Sequence, residues 1–236
     1  MKKIISILLV CIISVKTYSQ VSAVGIGKEF QSISGFGRTQ SGFEGIQTYK
    51  TGNVNGSQFS TNNWALGSVT TTAKEIMSNY LFLYDKVRQE LFLKPKDTDY
   101  VVLADKAQVA SFTINSDKPH VYYHAEIYDP EQAGNFFEAL VDNENYTLLK
   151  LTKTTFEKAN TSDLEKVKQG IFNDEFVDHV TYYVYYKNNT ERITLNQHSL
   201  YKAFKDKKTK VDDFFNLYPN NEINEQLLVN LVNYIN

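Results

Sequence analysis

From Trp64 to Leu195 the chain is a succession of short apolar runs divided by tight polar links, and this texture limits the fold more than any other feature. Leu66 to Thr72, Glu75 to Tyr84, Gln89 to Lys94, Tyr100 to Ala104, Gln108 to Ile114, Val121 to Tyr128, Asn135 to Val141, Tyr146 to Phe156, Val180 to Tyr186 and Arg192 to Leu195 are rich in Val, Ile, Thr, Tyr and Phe. Runs of that length and composition read as strands. The links Tyr84-Asp85-Lys86, Pro95-Lys96-Asp97, Asp142 to Asn145 and Lys187 to Thr190 are too short for crossover helices, so consecutive strands pair antiparallel. The expectation is a mainly β (α+β) protein in which an antiparallel meander over residues 56–198 forms a barrel-like or sandwich shape.

The period changes near residue 199. Leu200, Phe204, Val211, Phe214, Phe215 and Tyr218 recur at helical spacing up to Pro219, and Ile223, Leu227, Leu228, Leu231, Val232 and Ile235 repeat the pattern. Two C-terminal amphipathic helices over residues 199–236 are therefore expected to close the β region. Before the strands, nine of the eleven glycines fall between Gly25 and Gly67. The segment 20–55 shows no sustained apolar period and reads as a poorly ordered, Gly-rich arm that folding can spare.

The first residues carry a targeting signal. Lys2 and Lys3 precede an apolar stretch from Ile4 to Val15, and Thr17-Tyr18-Ser19 places small residues at alternate positions before Gln20. This is the layout of a secretory signal peptide over residues 1–19. An apolar run of about 12 residues is short of the roughly 20 that cross a bilayer as a helix, so no transmembrane span is expected after cleavage.

Removing residues 1–19 takes three lysines and no acid, which leaves 22 basic against 27 acidic side chains. An excess of acid with no basic patch argues against a nucleic-acid partner. The only cysteine, Cys11, leaves with the signal. The mature chain then has no disulfide and no thiolate nucleophile, and its stability rests on a packed core.

A resemblance runs through these strands. Gly56-Ser57, Phe59, Trp64, Gly67, Val69, the Tyr80 to Asp85 run, Glu90 to Leu93, Ser111 to Ile114 and the closing helix pair resemble a group of exported proteins of Bacteroidetes-type bacteria, over residues 56–236. The resemblance implies a β-rich envelope protein and points to no catalytic residue.

Few residues suggest chemistry. His120 and His124 lie in a strand-like run, where residues four apart sit about 13 Å from each other, too far to share one ion. His179 and His198 have no evident serine partner, and no Gly-x-Ser-x-Gly elbow occurs. Asp97 with Asp99 and Asp212 with Asp213 read as solvated charge, and Gly25-Ile26-Gly27-Lys28 lacks the spacing of a phosphate loop. No catalytic residue, metal ligand or cofactor is expected.

What remains is an aromatic face. Period 2 places Val121, Tyr123, Ala125 and Ile127 toward the core and His120, Tyr122, His124, Glu126 and Tyr128 outward, while Val180, Tyr182, Val184 and Tyr186 oppose Tyr183 and Tyr185. Tyr122, His124, Glu126, Tyr128, Tyr183 and Tyr185 are therefore the candidate binding residues, suited to an envelope glycan or a protein segment. The leading functional expectation is an exported, non-enzymatic envelope protein, in the periplasm, at the outer-membrane periphery or secreted. The alternative is an exported hydrolase whose acid and base meet only in the fold, and a cleft gathering two or more of His120, His124, Glu126, Asp178 and His179 would favour it.

Overall fold

The computed structural model describes residues 35–41, 54–159, 168, 173–219 and 221–236. The signal peptide expected at 1–19 lies outside the described residues. The strands are β1 (Gly37–Ser41), β2 (Val54–Asn55), β3 (Ala65–Thr71), β4 (Ile76–Asp85), β5 (Glu90–Pro95), β6 (Tyr100–Ala104), β7 (Val109–Asn115), β8 (Pro119–His124), β9 (Phe136–Asp142), β10 (Thr147–Glu157), β11 (Asp174–Tyr186) and β12 (Asn189–Ile193). They form one sheet in the order β1-β6-β5-β4-β3-β7-β8-β9-β10-β11-β12, antiparallel throughout except that β2 joins β11 in parallel. The protein is mainly β, as the run pattern requires, and the sheet is open. The link from β11 to β12 is a two-residue turn, because Lys187 and Asn188 both take positive φ and so match the twist of the strands they join.

The sheet curls. The Tyr84 ring lies 5.2 Å from that of Tyr122 and 5.9 Å from that of Phe136, although β4 is separated from β8 and β9 by β3 and β7. On this inner face Val69, Phe82, Leu91, Leu93, Val102, Phe112, Ile114, Tyr122 and Phe136 form one buried cluster. Gly67 permits the curl at the β3 bulge: a Cβ there would run into the Thr113 carbonyl oxygen and the Phe82 ring.

Further along the same face, Val141, Leu148, Val184 and Ile193 are covered by helices instead. The C-terminal segment holds three α-helices among the described residues, α1 (Gln197–Ala203), α2 (Lys208–Leu217) and α3 (Glu225–Ile235). The first expected helix is divided at Phe204, where a 3-10 turn over Lys205–Lys207 redirects the chain. Phe204 stays fully buried across that break. Asn196 and Asn224 cap α1 and α3 by accepting the Ser199 and Leu227 amides. Leu200, Phe204, Val211, Phe214, Leu228 and Leu231 then pack onto the sheet, each fully buried Leu or Phe stabilising by about 1.5–3 kcal/mol.

Two expectations need correction. Part of the supposed arm is structural: β1 pairs with β6 over its whole length, and Phe36 beside it is buried in the curled cluster. Phe36 anchors a strand whose own sequence, Gly37–Ser41, shows no apolar period. The run at 121–128 is also not one strand, because β8 ends at His124 and a 3-10 turn covers Ala125–Ile127.

Candidate functional site

The turn after β4 is fixed by the fully buried Asp85. Its Oδ1 accepts the Val87 and Arg88 amides at 2.8 and 3.0 Å, and its Oδ2 accepts from Gln58 Nε2 at 2.6 Å. Gln89 locks the turn from the other side. It accepts the Tyr84 hydroxyl at 2.7 Å and donates to the Lys86 and Thr152 carbonyls. This network holds Lys86 over β11, where its ammonium donates to both oxygens of Asp178 at 2.8 Å, and Thr154 donates to the same carboxylate.

A polar row crosses the inner face beside this turn. Cross-strand partners share a face, and the register pairs Tyr122 with Glu138, Glu138 with Lys150 and Lys150 with Tyr182 across β8, β9, β10 and β11. Glu225, the first residue of α3, meets the row from above: Lys150 donates to its Oε2 at 2.9 Å and the Tyr182 hydroxyl at 2.8 Å. At the other end His120 bonds Glu138 through Nδ1 at 2.7 Å and Asp117 through Nε2 at 3.1 Å. Lys86, His120, Glu138, Lys150, Asp178 and Glu225 line a groove of about 230 Å³, with Tyr84, Tyr122 and Phe136 at its base and Ile114, Leu140, Thr61, Thr152 and Lys118 around it.

The charges in the groove reinforce one another. Burial works against the His120 cation, but the hydrogen bonds to Glu138 and Asp117 prevail and raise its pKa above the usual histidine value. Burial likewise works against the Asp178 and Glu225 carboxylates. Bonds from Lys86 and Thr154, and from Lys150 and Tyr182, hold both below the ordinary carboxylate range. Burial, with the Glu138 charge beside it, pushes the Tyr122 phenol up, so it stays a neutral hydroxyl.

The six residues expected to form one binding face are divided by the fold. Tyr122 lies on the groove floor and is core, stacked on Phe112 at 4.6 Å, rather than an outward ring. His124 packs edge-on against Phe136, burial lowers its pKa, and Glu126 beside it is exposed. Tyr128, Tyr183 and Tyr185 belong to the opposite face. There Tyr128 meets Tyr185 at 4.9 Å, and Tyr183 is buried against Phe137. The 3-10 turn after His124 breaks the alternation that would have kept Tyr128 with Tyr122. The same break leaves Ile127 exposed instead of in the core. Val180 is exposed too, since that half of the long β10–β11 pair extends past the ends of β9 and β12.

Tyr128 and Tyr185 do line a shallow outer depression with Asp142, Glu144 and Lys187. Their rings are spent on each other, and the Tyr185 hydroxyl on Asn188. Among the described residues no group of three or more His, Cys, Asp and Glu side chains is placed to hold a metal ion. No described helix is long and apolar enough to cross a membrane. Glu138, Lys150, Tyr182, Glu225 and Lys86 were not singled out by sequence reasoning. One signal was present: Glu138 and Lys150 each interrupt an apolar run, Phe136 to Val141 and Leu148 to Leu151.

No protein-family model matches the chain, and neither the curated proteins nor the solved structures yield a significant match.

Proposed function

We propose that the chain is an exported, non-enzymatic binding protein of the bacterial cell envelope that holds a small polar ligand in the inner-face groove. The observation that carries this reading is the row Tyr122, Glu138, Lys150 and Tyr182, joined to Glu225 and set between the two apolar clusters of the inner face. Charged groups placed between two hydrophobic clusters cost stability unless they are paired and hydrogen-bonded, so their presence there suits a site that uses them. Here they are paired, which holds them in fixed positions: Lys86 takes both oxygens of Asp178, while Lys150 and Tyr182 bind Glu225 through Oε2 and leave its Oε1 without a partner among the described residues, open to a ligand donor. The signal-peptide layout of residues 1–19 supports the compartment.

The test is retention. The folded mature chain, immobilised and exposed to envelope extract, should hold a component that a Thr61→Trp variant, with its groove filled, retains about tenfold less, equivalent to about 1.4 kcal/mol. Equal retention by a folded variant would move the site elsewhere. One observation favours the hydrolase reading: the groove gathers His120 and Asp178. Each is already held by its own partners, His120 by Glu138 and Asp117 and Asp178 by Lys86 and Thr154, which suits them to holding a ligand more than to moving a proton. Conversion of the retained component into a smaller product on standing would reverse that choice.

A further inference from the structure

The pairing inside the groove narrows the chemistry of its ligand, given the binding role proposed above. Among the lining cations His120 is held by Glu138 and Asp117, Lys86 by Asp178, and Lys150 by Glu225. Lys118 stands apart. It is exposed where it lines the groove, its charge acts on Glu225, and among the described residues no hydrogen bond or ion pair holds its ammonium. The interior therefore offers paired, nearly balanced charge, and Lys118 adds one uncommitted cation.

A ligand ammonium would find no free carboxylate inside, because Glu138, Asp178 and Glu225 each already hold a cation. A doubly charged phosphate would gain one lysine and face those three carboxylates. Hydroxyl groups fare better. They can donate to Glu225 Oε1 and to the Thr61 and Thr152 hydroxyl oxygens that line the groove. A volume of about 230 Å³ has room for a single ring. We propose that the groove takes a carboxylated monosaccharide, alone or as the end of a glycan, with Lys118 selecting the acid group.

Calorimetric titration of the folded chain with glucuronate and galacturonate, each beside its neutral hexose, tests this directly. One uronate should bind about tenfold more tightly than its neutral counterpart, with an advantage that shrinks as salt is added. Lys118→Gln should abolish the advantage and leave the neutral-sugar affinity unchanged. Equal affinity for acid and neutral sugar, or a preference that survives Lys118→Gln, overturns the inference. If no sugar binds while Thr61→Trp still lowers retention of an envelope component, the sugar class fails and the groove reading stands. If retention also ignores Thr61→Trp, both fail.

Discussion

The two apolar clusters on the inner face are closed by different means. Around Phe82, Phe112, Tyr122 and Phe136 the sheet curls until its own side chains meet, whereas Val141, Leu148, Val184 and Ile193 are covered by three helices. Curling buries a face without adding chain but demands small residues at its bends, as Gly67 shows. Covering tolerates a flatter sheet but needs an apolar stripe delivered from elsewhere in sequence. The polar row from His120 to Glu225 falls in the seam between the two. A site at such a seam is shaped by both closures, so disturbing either should be felt there.

The harshest test of the covered half is Leu228→Asp, which buries an unpaired charge where Leu228 is fully enclosed, at a cost on the order of 4–5 kcal/mol. Chemical denaturation would read it, and a parent-like midpoint would mean that the helices do not seal the sheet. On the curled side Phe112→Ala removes the ring stacked on Tyr122 and should cost about 3–4 kcal/mol. If the halves are as distinct as their closures, that variant should loosen amide protection in β7 and β8 before the helices. Uniform loss would show one cooperative core.

Phe36 comes next, because it decides whether the curled half needs the strand before it. Phe36→Ala should cost about 3 kcal/mol, the lower end of the range for a buried ring at a sheet margin. An unchanged melting temperature would return residues 35–41 to the status of a dispensable arm.

Most of the strands and the helical close were legible because their signals are local: alternation, turn residues and a change of period. The expected bounds of β6 match the strand to the residue, and most others lie within one or two. What stayed hidden depends on register and curvature. Tyr122 looked like an outer residue because alternation names two faces without saying that a curled sheet buries its inner one. Glu138 and Lys150 became neighbours only through the pairing of β9 with β10, and Glu225 joined them from 75 residues further on than Lys150. Phe36 had no periodic neighbours to announce it.

The smallest effect concerns pH and bears on the seam itself. His120 has a raised pKa in the folded protein, so its stabilising share is fully present below the unfolded value of about 6.5 and is lost as pH rises through the raised value. Asp178 and Glu225 have lowered values, so their share is present above the ordinary carboxylate range and is lost as pH falls through the depressed values. The seam is then tightest in mildly acidic solution, with His120 charged and both carboxylates ionised. His120→Gln should lower the melting temperature there and make little difference in alkaline solution, where the wild-type ring has already lost its proton. The difference should correspond to less than about 1 kcal/mol, since the pairs are partly open to water, and should fade with added salt. Melting curves of both proteins across pH would read it. A constant gap at every pH would mean that His120 acts by packing alone, and the seam would then owe its shape to the two closures rather than to the charges between them.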